Sequence, residues 1–430
     1  MPLASRSGAP AARLWPAAGS DAPRAPVPYP VAALAELLPT PDVQRALRDR
    51  LVAWYRGHRR DLPWRRTRDP YAIWVSELML QQTRVEAVEG YWVRFLRRFP
   101  TVEALAAASE EDVLAAWSGL GYYRRARALH AAAKEVVALH GGVFPRTRDG
   151  LRALPGVGPY TAGAVLSIAF DEPEPLVDGN VERVFARLFE LPGARGSREL
   201  AAACWAIAEA LVPDRPSAAS TPRRGAAAPS PGEWNQALME LGATVCTPKT
   251  PACGVCPVAV LCRGRASGRA LELPPPRPTP APVDVTLEAY LVPAAVVAGP
   301  RPAPWPAHWP AYWFEQRSAE GRMGGLWQLP TIELRAAPTA PVHLFPDALA
   351  AGPGSTLRPG RALFTLRHAI THHRIRLHVR AAELAGDPPP EWRALTADEA
   401  RTLPLSGMAR KVLARLDSSR GALFAEGEGA

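Results

Sequence analysis

Four cysteines within seventeen residues constrain this chain more than any other feature: Cys246, Cys253, Cys256 and Cys262, spaced Cys-x6-Cys-x2-Cys-x5-Cys. Clustered cysteines in a reducing compartment hold metal more often than they form disulfides. Thiolates suit iron–sulfur clusters and zinc alike. Zinc sites usually pair two Cys-x2-Cys knuckles or include histidine. Here no histidine lies within the loop and the outer gaps are unequal. One compact loop wrapping one iron–sulfur cluster fits this spacing better, with a structural zinc as the alternative. The fifth cysteine, Cys204, stands alone on a helical pattern and reads as a small buried apolar residue without a metal role.

At 430 residues, 47% of them hydrophobic, the chain is long enough for two domains with substantial cores. Its formal charge of +10 favours a polyanionic partner. That charge is almost all arginine, because the only lysines are Lys134, Lys249 and Lys411. An Arg-, Ala- and Pro-rich composition also suits a GC-rich genome, so charge alone does not separate the two readings. No apolar run is long enough to span a bilayer, and the N-terminus lacks the basic start and apolar stretch of a signal peptide. A cytoplasmic bacterial protein, associated with the nucleoid through DNA, is expected.

Residues 1–40 are Ala/Pro-rich and read as a disordered tail. From 41 to 265 the pattern is helical. Segments 43–56, 71–86, 87–98, 110–117, 122–139 and 160–169 carry apolar residues at three- and four-residue spacing. The stretch 214–232 interrupts this pattern and reads as a flexible insertion. A Pro-rich linker is expected over 266–283, then an α+β domain over 284–418 and a flexible tail over 419–430. Segments 284–292, 311–317, 361–366 and 374–382 supply its β-prone runs.

Three sites carry chemistry. Leu154 to Gly163 sits between two helical stretches, and Gly156 and Gly158 permit a tight turn that leaves backbone N–H groups exposed at a helix start. Such a turn either binds a phosphate or simply joins two helices. In Tyr71 to Val85, a helix would place Ile73, Trp74, Glu77, Leu80 and Gln81 on one face. Glu77 is then a carboxyl on an apolar stripe, where desolvation favours the protonated form a general acid needs. The alternative is a structural glutamate satisfied by a buried donor. Asp178 precedes a helical run to Leu191, so it or Asn180 either caps that helix or presents a carboxylate to a developing cation. Cleavage of an N-glycosidic bond passes through an oxocarbenium-like state that such a carboxylate stabilises.

The cysteine spacing resembles the cluster loop of the endonuclease III and adenine DNA glycosylase superfamily, and Leu154 to Gly163 resembles its helix-hairpin-helix motif. Leu62-Pro63-Trp64-Arg65, Ser76 to Thr83, Gly119-Leu120-Gly121-Tyr122-Tyr123 and Asp178-Gly179-Asn180 closely resemble the adenine DNA glycosylase family. The resemblance is dense over 45–265 and loose over 285–415. It implies a mainly helical helix-hairpin-helix glycosylase domain followed by a Nudix-like α+β domain. The implied cofactor is a [4Fe–4S] cluster. The implied partner is double-stranded DNA with adenine opposite 8-oxoguanine or guanine, bound by a monomer.

By the same resemblance Glu77 protonates adenine, Asp178 stabilises the sugar cation, and Tyr160 and Asn180 support the site. Arg60, Trp64, Arg65 and Leu80 match positions lining the adenine pocket. Gln82 and Tyr122 match residues that wedge into the base stack, and Thr83 and Leu120 match contacts near 8-oxoguanine. A flipped-out adenine leaves a gap that such side chains fill. Arg263 and Arg265, beside the cysteines, are candidate phosphate contacts. Tyr160 stands where the endonuclease III branch carries a nucleophilic lysine. A phenol forms no Schiff base, so a glycosylase with weak or no lyase activity is implied.

Gly324 to Pro330 resembles a segment of the family's Nudix-like domain, which recognises 8-oxoguanine. No glutamate-rich Mg²⁺ box accompanies it. The family's Phe-Ser-His loop corresponds to Ile370-Thr371-His372, which keeps a hydroxyl and a ring donor and loses the aromatic wedge. The rival readings are an endonuclease III-like pyrimidine glycosylase and lyase, disfavoured by Tyr160, and a non-catalytic lesion-binding protein, disfavoured by Glu77 and Asp178.

Overall fold

A computed structural model describes residues 38, 40–215, 227–277, 281–294, 311–317, 324–334 and 355–418. The expected tails over 1–40 (save Leu38 and Thr40) and 419–430 lie outside the described residues, as do 216–226 of the expected insertion and 278–280 of the linker. The helices are α1 (Pro41–His58), α2 (Pro70–Leu80), α3 (Val85–Arg98), α4 (Val102–Ala107), α5 (Glu110–Ala116), α6 (Arg124–His140), α7 (Arg148–Arg152), α8 (Pro159–Phe170), α9 (Gly179–Leu188), α10 (Arg198–Leu211), α11 (Pro231–Thr244) and α12 (Arg263–Ala266). Strands β1 (Val283–Leu291), β2 (Pro293–Ala294), β3 (Ala311–Gln316), β4 (Trp327–Gln328), β5 (Thr331–Leu334), β6 (Thr356–Ile370), β7 (His373–Ala385) and β8 (Trp392–Leu395) follow, then α13 (Ala397–Thr402) and α14 (Gly407–Ser418). None of the described helices is long and apolar enough to cross a membrane.

Packing divides the chain into two compact units. The first comprises Met1–Arg60, Thr147–Arg152 and Val157–Arg277. At its centre α8 is buried along Thr161 to Ile168, because apolar or small residues occupy every face. Gly163 is required there: a Cβ would strike the carbonyl of Pro175, on the segment that leads to Asp178. Ser167 is buried yet satisfied, donating to the Gly163 carbonyl at 2.7 Å and accepting from Asn235 Nδ2 at 2.8 Å. α11 begins inside the stretch read as an insertion. Ser230 and Glu233 form a reciprocal capping box around Pro231, so the irregular segment ends at Ser230 rather than at 232. The stretch read as linker also starts as packed chain, with Leu273 only 3% exposed and its carbonyl held by Arg187 Nε at 2.8 Å.

The second unit comprises Asp61–Arg146, Ala153–Gly156 and Pro278–Ala430. α2 is buried along Tyr71 to Met79. The helix expected to run from 71 to 86 stops at Leu80, because Gln82 turns left-handed at φ 56° and α3 starts afresh at Val85. The carbonyls that end α2 are taken by an arginine side chain described below. One sheet has the order β5-β1-β7-β6, with β1 parallel to β7 and the other pairs antiparallel. The second joins β2, β3 and β4, with β8 on β3. Leu287, Phe314, Trp327, Leu377, Val379 and Val412 fill the layer between these sheets and α13–α14. The β6–β7 hairpin outruns its expected segments, since Pro359-Gly360 reads as a break and the ladder absorbs it as a register shift. Trp327 Nε1 donates to Glu111 at 3.3 Å, tying this layer to α5.

Candidate functional site

In the first unit, Asp178 takes the capping role that is one of the two readings of its sequence. It caps α9: Oδ1 accepts from the N–H of Asn180 at 2.9 Å and of Val181 at 2.7 Å. Oδ2 accepts from Asn180 Nδ2 at 2.9 Å. Burial pushes its pKa above the ordinary 3.8, against the pull of those donors and of Arg183. The Asn180 amide cannot turn over, because its oxygen accepts from Arg183 Nη2 at 2.8 Å. Arg183, 6% exposed, also donates to the Gly242 carbonyl and, through Nε, to the Cys246 carbonyl, both at 2.8 Å. A continuous line of hydrogen bonds therefore runs from the first cysteine of the loop to the Asp178 carboxylate.

Gly242 makes room for this line. A Cβ there would stand 2.6 Å from Asn180 Cβ and 3.1 Å from its carbonyl oxygen. Gly242→Ala is expected to displace Asn180 and destabilise the protein by about 1–3 kcal/mol, read as a lower urea midpoint. An unchanged midpoint would show that α9 and α11 are free to move apart.

Tyr160, in the first turn of α8, donates its hydroxyl to Met239 Sδ at 3.4 Å. Arg60 is committed to Glu240, a partner the sequence reading missed. Its backbone N–H and Nε reach Oε1 at 3.0 and 2.9 Å, and Nη2 reaches Oε2 at 2.9 Å. The Glu240 side chain is fully buried, and a lone acid in the run Ala237-Leu238-Met239-Glu240-Leu241 was the available signal. Gly158 is the N-cap of α8, and a Cβ there would meet nothing within 4 Å. Among the described residues no neighbour excludes a side chain from that position.

The four loop cysteines are half-buried and form no disulfide among the described residues. Burial, with added pressure from Cys246, Cys262 and Cys253, pushes the Cys256 thiol up to about 11, so the four lie within electrostatic reach of one another. Arg187 donates to Cys246 Sγ at 3.4 Å and accepts from Cys262 Sγ through its carbonyl at 3.3 Å. Among the described residues no three His, Cys, Asp or Glu side chains converge as ligands of a single metal ion. Four neighbouring thiols with a guanidinium donor fit an iron–sulfur cluster, whose irons each take a separate thiolate. Lys249, Cys253 and Arg265 line a surface cavity of about 380 Å³ beside the loop.

In the second unit, Glu77 lies within α2 at 4% exposure. Trp64 is buried and edge-on to Trp92, with ring centres 6.1 Å apart. Arg65 and Leu80 are half-buried. Gln82 and Tyr122 are exposed at the tips of two turns, and both hold left-handed backbones, at φ 56° and 51°. Non-glycine residues adopt that region at a cost. The sequence reading missed what holds them. Arg125 Nη1 donates to the carbonyls of Leu78 at 2.8 Å, Met79 at 2.9 Å and Gln81. Its Nη2 reaches Thr83 Oγ1 at 3.2 Å and the carbonyls of Leu120 at 3.4 Å and Gly121 at 3.1 Å. One guanidinium thus joins both turns, flanked by the rings of Trp117 and Tyr122 at 5.5 and 5.3 Å. Burial lowers its pKa to about 10, which leaves it charged at neutral pH. Leu120 is 7% exposed and faces the protein interior.

Also in this unit, Ile370 pairs with His373 across the β6–β7 hairpin, so Thr371 and His372 form its two-residue turn. Thr371 is left-handed at φ 53°, and the His372 ring lies 4.1 Å from that of His373. Gly156 is left-handed at φ 73°, and a Cβ there would press on Ala128 of α6.

Comparison with known proteins bears on this arrangement. Residues 75–210 match the HhH-GPD superfamily of base excision DNA repair proteins, 246–262 the iron–sulfur binding domain of endonuclease III, and 308–415 the NUDIX domain. A curated protein of Mycolicibacterium smegmatis, named adenine DNA glycosylase, is 43% identical over 219 residues, covering 51% of this chain and 69% of the relative. The chain belongs to the adenine DNA glycosylase family. Family members of that name from Rattus norvegicus and Homo sapiens are each 46% identical, over 241 and 229 residues. Those matches cover 53% and 51% of this chain but 44% and 39% of the relatives, so the chain spans less than half the length of these two. The chain joins a helical helix-hairpin-helix region to a strand-containing Nudix-like domain, and its cysteine loop is an iron–sulfur binding loop.

Proposed function

We propose that this chain is a monofunctional adenine DNA glycosylase. It hydrolyses the N-glycosidic bond of adenine opposite 8-oxoguanine or guanine in duplex DNA, acting as a monomer at the bacterial nucleoid. One observation carries the chemistry: a desolvated carboxylate, Asp178, is fixed by three donors at the start of a helix. Adenine is flipped from the stack. Glu77 donates its proton to the base. The C1′–N9 electron pair departs with adenine, the Asp178 carboxylate faces the sugar cation, and water completes the hydrolysis. Asn180 orients Asp178, and Tyr160 supports the site without the amine a lyase needs. Trp64, Arg65 and Leu80 line the base pocket, and Arg60, which Glu240 holds in place, serves the same role. The amides around Gly156 and Gly158 take a phosphate, as do Arg263 and Arg265. Gln82 and Tyr122 fill the vacated stack, and Thr83 and Leu120 support the turns beside the opposing lesion. Thr371 and His372 read that lesion.

The test is single-turnover base release from duplexes carrying adenine opposite 8-oxoguanine, guanine or cytosine. Absence of release from the 8-oxoguanine duplex by intact, cluster-loaded protein sinks the proposal. The raised Asp178 pKa adds a sign. The anionic form is required, and it is lost as pH falls through a value above that of an ordinary aspartate. The acid limb of the rate profile is therefore expected above pH 3.8, and a rate flat to that pH would contradict the role. We assign the cluster as [4Fe–4S], held by Cys246, Cys253, Cys256 and Cys262. It supplies structure and docking to the loop. Purified protein is expected to absorb broadly near 400 nm with about four irons and four sulfides per chain, and stoichiometric zinc would refute the assignment.

A further inference from the structure

The first turn of α14 touches two places that the proposed function sets apart as DNA contacts. On one side is the turn that carries Tyr122. Arg410 Nη1 donates to Ser118 Oγ at 2.9 Å and Nη2 to Tyr123 Oη at 3.4 Å. Tyr123 Oη accepts from the Gly119 N–H at 3.4 Å and donates to the Leu405 carbonyl at 3.2 Å. Tyr91 closes the anchor by donating to the Ser118 carbonyl at 2.9 Å. Both ends of the Ser118–Tyr123 turn are thereby fixed, while Gly119, Gly121 and Tyr122 within it are left-handed, at φ 113°, 75° and 51°. The exposed Tyr122 ring is thus carried on a turn anchored at both ends, in addition to its own contact with Arg125.

On the other side is the stem of the Thr371–His372 turn. Lys411 Nζ donates to the Arg367 carbonyl at 3.1 Å. A Cβ on Gly407 would sit 3.3 Å from His368 Cε1, so β6 rests directly on the helix start. His368 is half-buried against this helix start. Arg367 and His368 lie within four residues of Thr371.

We propose that Arg410 is a positioning residue: it seats the first turn of α14 between the Tyr122 turn and the β6–β7 hairpin, so that insertion of Tyr122 and lesion reading by Thr371–His372 act as one event. This rests on the proposed function for the identity of the two contacts. The coupling itself is a property of this unit of the fold and is measurable without catalysis.

The test uses the full-length, cluster-loaded protein with Arg410→Met, and Tyr123→Phe as a second variant that removes only the hydroxyl hub. Backbone hydrogen exchange is measured first. Both variants are expected to speed exchange by about tenfold or more at Gly119 and Gly121 and also at Ile370–His373, with α8 unchanged. Acceleration confined to one of the two turns, or to neither, overturns the coupling whatever the enzyme's activity. Single-turnover release is measured second. Arg410→Met is expected to lower the preference for adenine opposite 8-oxoguanine over adenine opposite guanine by about tenfold, with the guanine-duplex rate within about threefold of wild type. In that background His372→Ala should cost little more, because the pair is already uncoupled. Equal losses on both duplexes, or fully additive effects, overturn the proposal. A wild-type protein that releases no adenine overturns the proposed function instead, and the exchange result then decides the coupling alone.

Discussion

Glu77→Gln is expected to lower the single-turnover rate of adenine release by roughly 10²–10⁴-fold, the span usual for loss of a general acid. The amide is close to isosteric and lacks the proton. Glu77 lies at 4% exposure in α2, a helix buried on every side from Tyr71 to Met79. The substituted chain should therefore fold as before and bind the mispaired duplex within a few-fold of wild type. The loss should appear in the chemical step, not in binding. A rate within fivefold of wild type would end the assignment of Glu77 as the acid.

Arg125→Met should act through stability. The arginine fork fills three carbonyls beyond Glu77 and three acceptors in the neighbouring turns, and no carboxylate is among these partners. Methionine keeps much of the volume and none of the donors, leaving several buried carbonyls unmet. A loss of about 1–3 kcal/mol or more is expected, the usual cost of leaving buried acceptors unmet, read as a fall in urea midpoint. Arg125→Lys should recover only part of it, since one ammonium cannot span both turns. A stability loss below about 1 kcal/mol would mean that the turns hold their left-handed backbones by themselves.

What was legible in the sequence was chemistry carried at fixed local spacing. The cysteine loop, the Gly156–Gly158 turn and the Asp178 cap all announce themselves within a few residues, because their partners are near neighbours. Arg125, Arg183 and Glu240 were not legible. Each is defined by acceptors or donors far along the chain: Arg125 to Leu78, 47 residues away, and Arg60 to Glu240, 180 away. An arginine among many arginines gives no sign of such a role. The break after Leu80 was hidden for the same reason. Apolar periodicity continues past it, and the group that ends the helix comes from α6. Pro359 hid half of β6, since a proline reads as a strand breaker and only an edge strand tolerates it.

Under the proposed function Asp178 has two duties, cap and counter-charge, and together they narrow what position 178 can hold. Serine or asparagine there would still start α9 but without a negative charge, which under the proposed function leaves a protein that folds and docks yet performs no chemistry. Glutamate would keep the charge on a longer arm that no longer meets the amides of Asn180 and Val181, at about 1 kcal/mol for the lost cap. Aspartate alone meets both demands. Under the proposed function, no substitution at residue 178 is therefore neutral for both folding and chemistry.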